Sequence, residues 1–227
     1  MSKPRIYMVA AEPSGDLLAK EVVQKIRLDS PEAHISGIGG RELKSVGIDS
    51  PVDVSPLSIL GFFEGIKAYG DVVRLADEAA AEIIKDTPDV VVLVDSWGFM
   101  LRVAQRVRAQ APDIRLVKLV GPQVWATRSG RAKTLASTVD HLLCIHDLEV
   151  PFYEPFGLKT TVIGNPAISR HVEGNGQRFR EANGIPGDRQ LVLVLPGSRP
   201  SEIKRVAPAL VNAAQHLKRD NPELSLV

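Results

Sequence analysis

The run Val90-Val91-Val92-Leu93-Val94, followed directly by Asp95-Ser96, decides the fold class of this chain. A strand with one face in water alternates apolar and polar residues, whereas this run is apolar and almost entirely β-branched. Such a run is typical of a strand buried on both faces, which occurs in parallel sheets covered by helices on both sides. We therefore place this strand inside a parallel sheet.

Outward from this run, strand-like segments alternate with helical patterns in both directions. This alternation predicts βαβ units and a doubly wound α/β fold. Further strands are predicted at 5–11, 34–38, 115–119, 141–145 and 160–163, and helices at 17–26, 71–85, 99–110, 130–137 and 148–156.

A polar stretch at 169–190, rich in glycine and turn residues, predicts a linker between two domains. We assign residues 1–168 to the first domain and residues 191–227 to the opening of a second. In the second we expect a strand at 191–195 and a helix at 201–218, which Pro208 should kink or divide. Because two strands and one helix cannot cover a sheet, we expect the chain to stop inside this domain.

Composition excludes several classes of function. The net charge of +1 over 227 residues offers no general attraction for nucleic acid, so we expect no nucleic-acid partner. The single cysteine, Cys144, excludes an internal disulfide, and His141 and His146 lack metal-ligand spacing, so neither a metal nor a cofactor is expected. Neither a signal peptide nor a membrane-spanning run is evident, and we expect a cytoplasmic protein.

Two groups of candidate site residues follow predicted strands of the first domain, where α/β sheets collect ligands. Glu12, Ser14, Gly15 and Asp16 lie between the first strand and its helix, whose N-terminal N–H groups suit an oxygen-rich ligand. Ser14 and Asp16 could equally be helix caps. Asp95 is a candidate general base or sugar-hydroxyl partner, or alternatively an N-cap of the next helix.

Two further groups lie later in the chain. Trp125 stands beside Arg128 and Arg131, a combination that suits sugar stacking and phosphate pairing, although a solvated basic helix start is the alternative. Arg199, with Glu202 in the following helix, comes after a strand and a glycine turn, which together favour an anion site.

The stretch 57–66 is apolar and carries two adjacent phenylalanines among glycines. It is either ordinary core or a contact with acyl chains or a membrane surface.

Taken together, the motifs resemble those of the lipid-A-disaccharide synthases, in order and across nearly the whole chain. They are Glu12-x-Ser14-Gly15-Asp16, Leu60-Gly61-x-x-Glu64, Val94-Asp95-Ser96, Pro122-x-Val124-Trp125-Ala126-x-Arg128-x-x-Arg131, Phe152-Tyr153, Gly164-x-Pro166 and Leu195-Pro196-Gly197-Ser198-Arg199-x-x-Glu202-Ile203.

The resemblance implies a GT-B fold, with two Rossmann-like domains, and an inverting hexosyltransferase. Such an enzyme joins UDP-2,3-diacylglucosamine to 2,3-diacylglucosamine 1-phosphate, releases UDP and forms the lipid A disaccharide 1-phosphate. It would act as a peripheral protein on the inner face of the inner membrane, with residues 57–66 toward the bilayer. The first domain would bind the acceptor and the second the UDP-sugar, so we expect residues 1–227 alone to be inactive.

The resemblance also implies roles for the candidate residues. Asp95 or Glu12 would remove the acceptor proton, and Arg199 would bind the diphosphate. Trp125, Arg128 and Arg131 would hold the acceptor's sugar and 1-phosphate.

This chain departs from the family at one notable position. The family places a second aspartate three residues after the first, where this chain has Gly98. A GT-B enzyme acting on another nucleotide sugar, or a non-catalytic sugar- or lipid-binding relative, is therefore an alternative.

Overall fold

A computed structural model describes residues 3–59, 65–169, 173–197 and 200–227. The chain divides into two compact units, Met1–Arg170 and His171–Val227. Each unit is described by itself below.

The first unit alternates strands and helices from its first strand onward. Its elements are β1 (Arg5–Ala10), α1 (Pro13–Asp29), β2 (His34–Ile38), α2 (Arg41–Ser45), α3 (Ser55–Ile59), α4 (Gly65–Asp86), β3 (Val90–Val94), α5 (Trp97–Gln110), β4 (Arg115–Leu119), α6 (Gly130–Ala136), β5 (His141–Cys144), two 3₁₀ helices (Asp147–Phe152 and Glu154–Phe156), β6 (Lys159–Val162) and α7 (Pro166–Ser169).

The strands of this unit form one six-stranded sheet in the order β2-β1-β3-β4-β5-β6, and every described pair is parallel. The apolar run Val90–Val94 lies between β1 and β4, with Ile6 opposite Val90 and Val90 opposite Arg115. The predicted doubly wound α/β fold is confirmed.

Each face of the sheet carries its own core, because successive side chains of a strand point to opposite faces. Val91 and Leu93 pack with α4, α5 and α6 on one face, whereas Val92 and Val94 pack with α1 and α2 on the other. Helices on both faces explain why β3 has no polar residue.

The second unit contains α8 (Gly176–Ala182), β7 (Leu191–Val192), α9 (Pro200–Asp220) and β8 (Ser225–Leu226). Its two strands pair in parallel. Residues 169–190, predicted as a linker, include α8, which Asn175 caps by accepting a 2.8 Å hydrogen bond from the Arg178 amide.

Two local predictions need correction, and one of the two alternatives for Pro208 is excluded. The predicted strand 191–195 is shorter, since β7 covers Leu191–Val192, although the Val194 amide still donates to the Val227 carbonyl at 2.6 Å. The predicted helix 148–156 is a pair of 3₁₀ helices, in which Pro151 and Pro155 lack the N–H groups that α-helical bonding requires. A single helix, α9, spans Pro208, so this proline does not end a helical segment.

Candidate functional site

The strand order reverses between β1 and β3, and this switch point is where ligands collect in open α/β sheets. The chain leaves β1 toward β2 on one side, and then continues from β3 toward β6 on the other. The loops that follow β1 and β3 lie at the carboxyl edge of the sheet, where the divergence of such loops forms the ligand crevice of open α/β folds. Glu12 follows β1 and Asp95 follows β3, so both predicted catalytic carboxylates lie at this edge.

Glu12 and Ser14 lie at the start of α1. Glu12 occupies the N-cap position with an extended backbone, and its carbonyl accepts a 2.8 Å hydrogen bond from the Asp16 amide. Ser14 is exposed, whereas Gly15 is buried against the end of β3. A Cβ atom at Gly15 would lie 3.5 Å from the Val94 carbonyl oxygen and 3.6 Å from the Asp95 Cβ. The start of α1 therefore lies directly beside the Asp95 loop.

Asp16 has a structural environment. Its side chain is 4% exposed, and its carboxylate accepts hydrogen bonds from the amides of Gly40 (2.9 Å), Glu42 (2.8 Å) and Leu43 (3.3 Å). It thereby satisfies the amides at the start of α2, which otherwise have no partner within that helix. These bonds engage the carboxylate that was predicted to bind substrate, while Ser14 is exposed and Gly15 is buried against β3 at the same edge of the sheet.

Asp95 and Ser96 both adopt left-handed backbone conformations, with φ of 51° and 41°. Such conformations are uncommon for residues with a side chain and cost about 1–3 kcal/mol each, so the surrounding structure must enforce them. The Asp95 amide donates to the Leu119 carbonyl (2.9 Å), which ties the turn to β4. The N-cap of α5 is Ser96 and not Asp95, so helix capping does not account for the half-buried Asp95 side chain.

Lys118, which the sequence analysis did not select, lies below this turn. Its side chain is 2% exposed, and its ammonium donates to the carbonyls of Asp95 (2.6 Å), Leu119 (3.1 Å) and Leu93 (3.3 Å). Burial lowers the pKa of Lys118 to about 7, and the Asp95 carboxylate opposes this shift. The signal in the sequence was a lysine among the apolar residues Leu116, Val117 and Leu119, since buried parallel strands are usually apolar and a charged residue within one is unusual.

Arg128 and Arg131, which follow β4, form a basic cluster whose Arg131 faces Trp97, and Trp125 precedes them in the chain. Trp125 is 44% exposed, and the Arg131 guanidinium lies 5.2 Å from the centre of the Trp97 ring, a cation–π geometry. Burial, and then the nearby Arg128 guanidinium, lower the pKa of Arg131. An anion bound between these two like charges would relieve their repulsion.

The loop that carries Trp125 rests on buried side chains that follow β5. The Tyr153 hydroxyl donates to the Pro122 carbonyl (3.3 Å), and it lies 2.9 Å from where a Cβ of Gly121 would be. A larger residue at 121 would displace this contact. The buried Glu149 carboxylate accepts from the Ile145 and His146 amides at 3.0 and 2.9 Å and so orders the neighbouring turn.

Trp97 lies between the Asp95-Ser96 turn and the arginine cluster at this edge of the sheet. It begins α5 directly after the Asp95-Ser96 turn, and its ring faces Arg131 of α6. The structure thus brings together Glu12, Gly15, Asp95 and the Arg131 cluster at the carboxyl edge of one sheet.

The remaining predicted residues lie elsewhere or outside the described part of the chain. Glu202 belongs to the second unit, in the first turn of α9, where its carboxylate lies 2.9 Å from where a Cβ of Gly197 would be. Arg199 lies outside the described residues. So do residues 60–64 of the predicted membrane contact, although Leu57 packs against the core of the first unit.

The described ranges hold no helix long and apolar enough to cross a membrane. They also contain no group of three or more histidine, cysteine, aspartate or glutamate side chains that could hold a metal ion.

Comparison with protein families gives a match over residues 6–227 to the family model described as lipid-A-disaccharide synthetase. A lipid-A-disaccharide synthase of Rhodospirillum centenum is 34% identical over 225 residues, covering 98% of this chain and 56% of the relative. One of Paramagnetospirillum magneticum is 35% identical over 224 residues, covering 98% of this chain and 57% of the relative. The chain thus spans a little over half the length of these relatives.

Solved structures resemble the fold. A UDP-GlcNAc 2-epimerase of Neisseria meningitidis, bound to UDP-GlcNAc, has a TM-score of 0.60 at 10% identity and covers 99% of this chain and 65% of its own. A glycosyltransferase of Rickettsia africae has a TM-score of 0.55 at 12% identity, and the match covers 100% of this chain and 68% of the glycosyltransferase. At such low identity these likenesses concern the fold alone.

Proposed function

The chain belongs to the lipid-A-disaccharide synthase family, and we propose that it supplies the acceptor-binding half of a glycosyltransferase that makes the lipid A disaccharide. The donor in this proposal is UDP-2,3-diacylglucosamine and the acceptor is 2,3-diacylglucosamine 1-phosphate. The observation that supports the proposal is that Asp95, which follows β3, and the Trp97–Arg131 pair lie at the same edge of the sheet.

The proposed reaction begins with the acceptor in the crevice at the switch point. Asp95 accepts the proton of the acceptor's 6-hydroxyl group. The oxygen of that hydroxyl attacks the anomeric carbon of the donor sugar. The bond between that carbon and the diphosphate breaks, UDP leaves, and the product is β-linked because attack comes from the opposite face. Glu12, at the end of the neighbouring strand, is the alternative base.

The acceptor's phosphate belongs, in this proposal, between Arg128 and Arg131. Guanidinium groups suit phosphate because they donate paired hydrogen bonds in one plane. Arg131 is already oriented by the Trp97 ring, and its repulsion from Arg128 would fall when a phosphate binds. Trp125, nearly half exposed, offers a face for the sugar.

The donor would bind the second unit, with Arg199 and the start of α9 toward its diphosphate. The acyl chains and the membrane surface would meet residues 57–66, as expected of a peripheral protein on the inner face of the inner membrane.

The transfer assay tests this proposal. The complete product of the gene that encodes this chain is incubated with both acylated substrates, and disaccharide is quantified by mass spectrometry. We expect Asp95→Asn to lower kcat by about 100-fold or more, the usual contribution of a general base. Asp113→Asn, which changes an exposed carboxylate just before β4 at the opposite edge, is the matched control. Full activity of Asp95→Asn would remove Asp95 from the mechanism, and Glu12→Gln would then test its neighbour.

Gly98 supports a second candidate function, a sugar- or lipid-binding relative that does not catalyse transfer. The family's second aspartate is absent here, although an added Cβ would meet only the Arg102 guanidinium, at 3.7 Å, among the described residues. If the wild type binds acceptor without turnover and Gly98→Asp confers turnover, this second function is supported. Turnover by the wild type at ordinary enzyme rates excludes it.

A further inference from the structure

Lys118 is a buried cation that the proposed mechanism does not use. Its side chain shares a sheet face with Leu116, because residues two apart on a strand point the same way. Leu116 belongs to the core beneath α4, α5 and α6. An ammonium buried among apolar side chains is costly unless its N–H groups are hydrogen-bonded.

The contacts of Lys118 converge on the carboxyl ends of two neighbouring strands. The Lys118 Nζ lies within hydrogen-bonding distance of three carbonyl oxygens, those of Leu93, Asp95 and Leu119. The shortest of these bonds, 2.6 Å, is made to Asp95. Lys118 therefore fastens the first residue of the left-handed turn to the two strands beside it.

The conformation of this turn requires stabilising contacts. Asp95 and Ser96 are consecutive residues with side chains and positive φ, and neither is glycine. The Ser96 carbonyl then accepts from the Met100 amide at 3.0 Å, so the turn also sets where α5 begins. A change in the turn would move both the Asp95 carboxylate and the Trp97 ring that faces Arg131.

We propose that Lys118 is a positioning residue, whose buried amino group holds the Asp95-Ser96 turn in place and thereby orients Asp95 and Trp97 at the proposed acceptor site. This inference rests on the proposed function for its catalytic consequence. Its structural content, that Lys118 sets the conformation of the turn, is tested independently of activity.

The first experiment follows Trp97 directly. In the 227-residue chain carrying Trp125→Phe, Trp97 is the remaining tryptophan, since the chain has two. We expect Lys118→Met to change its near-ultraviolet circular dichroism and emission maximum, while Lys118→Arg, which keeps the charge and several donors, restores much of the wild-type signal. Lys159→Met, at an exposed strand lysine, is the matched control and should change neither. An unchanged Trp97 signal in a folded Lys118→Met chain overturns the inference.

The second experiment measures transfer by the complete gene product. A misplaced base lowers the rate without weakening donor binding, so we expect Lys118→Met to reduce kcat by about 10- to 100-fold, with an unchanged KM for the donor. Lys118→Arg should recover part of the loss. If the Met variant does not fold, Lys118→Gln, which keeps a donor at similar length, takes its place in both experiments.

The outcomes separate the two proposals. Absence of transfer in the wild type counts against the proposed function, and the Trp97 signal then decides the inference alone. Wild-type kcat in a folded Lys118→Met enzyme that makes disaccharide overturns the positioning role, while the proposed function stands.

Discussion

The buried ammonium of Lys118 predicts how the stability of the first unit depends on pH. Burial lowers its pKa from 10.5 to about 7, with the Asp95 carboxylate opposing the shift. The unfolded chain restores a pKa near 10.4. Between these pH values the unfolded state binds more protons than the native state, so the free energy of unfolding rises with pH. Above about pH 10.5 Lys118 adds no cost to folding, and below about pH 7 the whole cost is present.

The size of the effect follows from the displacement of the pKa. Each pKa unit corresponds to about 1.4 kcal/mol, so the complete change is on the order of 5 kcal/mol. Other buried groups act in the opposite direction, since burial raises the pKa of Cys144 to about 11 and that of Tyr7 and Tyr153 above their usual range. The unfolded chain loses these protons first as pH rises, which lowers stability.

Comparing the unfolding free energy of the wild type with that of Lys118→Met isolates the contribution of Lys118, because the variant retains Cys144, Tyr7 and Tyr153. Urea unfolding is followed by tryptophan fluorescence from pH 7.5 to 9.5, and both tryptophans, Trp97 and Trp125, lie in the first unit. The unfolding free energy of the wild type minus that of Lys118→Met should rise by about 1 kcal/mol or more per pH unit. With Lys159→Met as control, the corresponding difference should stay flat. A flat difference for Lys118→Met would refute the reasoning, since Lys118 would then titrate as it does in the unfolded chain.

Three further predictions concern the phosphate site, the start of α2 and the apolar stretch 57–66. Arg131→Ala should weaken binding of the phosphorylated acceptor by about tenfold in titration calorimetry, the worth of one charge-assisted hydrogen bond. The acceptor lacking its phosphate should be unaffected, and equal losses for both ligands would contradict the phosphate role. Asp16→Ala should lower the free energy of unfolding by about 3 kcal/mol, because three amides at the start of α2 lose their acceptor. Asp29→Ala, at a 64% exposed carboxylate, should change it by less than about 0.5 kcal/mol, and similar effects from both would argue against the capping role. Replacing Phe62 and Phe63 together with serine should reduce co-sedimentation with anionic phospholipid vesicles, and undiminished co-sedimentation would remove the membrane role from residues 57–66.

The sheet could be predicted from the sequence because its signal is local. Val90–Val94 is apolar over its whole length, and the pattern on both sides alternates strand with helix. The same alternation placed Glu12 and Asp95 at strand ends, and therefore at one edge of the sheet. Segments whose structure depends on hydrogen bonds to a partner strand, such as 191–195, were predicted less well.

The contacts within the site could not be predicted, because they join residues far apart in the chain. Asp16 binds amides at 40–43, and the choice between a substrate ligand and a structural carboxylate depends on where α2 lies. Arg131 meets Trp97 only after β4 has placed α6 beside the start of α5.

Lys118 was missed for a different reason. A lysine in a strand usually reaches solvent at an edge, and the sequence does not show that β4 has a neighbour on both sides. Its apolar neighbours Leu116, Val117 and Leu119 were the signal that could have identified it.

Titration of the 227-residue chain with 2,3-diacylglucosamine 1-phosphate in detergent micelles tests whether the carboxyl edge of the first unit binds the acceptor. We expect saturable binding of one acceptor per chain, weakened by Arg131→Ala and unchanged by Asp113→Asn. Absence of acceptor binding would contradict this assignment. So would acceptor binding that Arg131→Ala leaves unchanged while the chain binds UDP tightly and stoichiometrically.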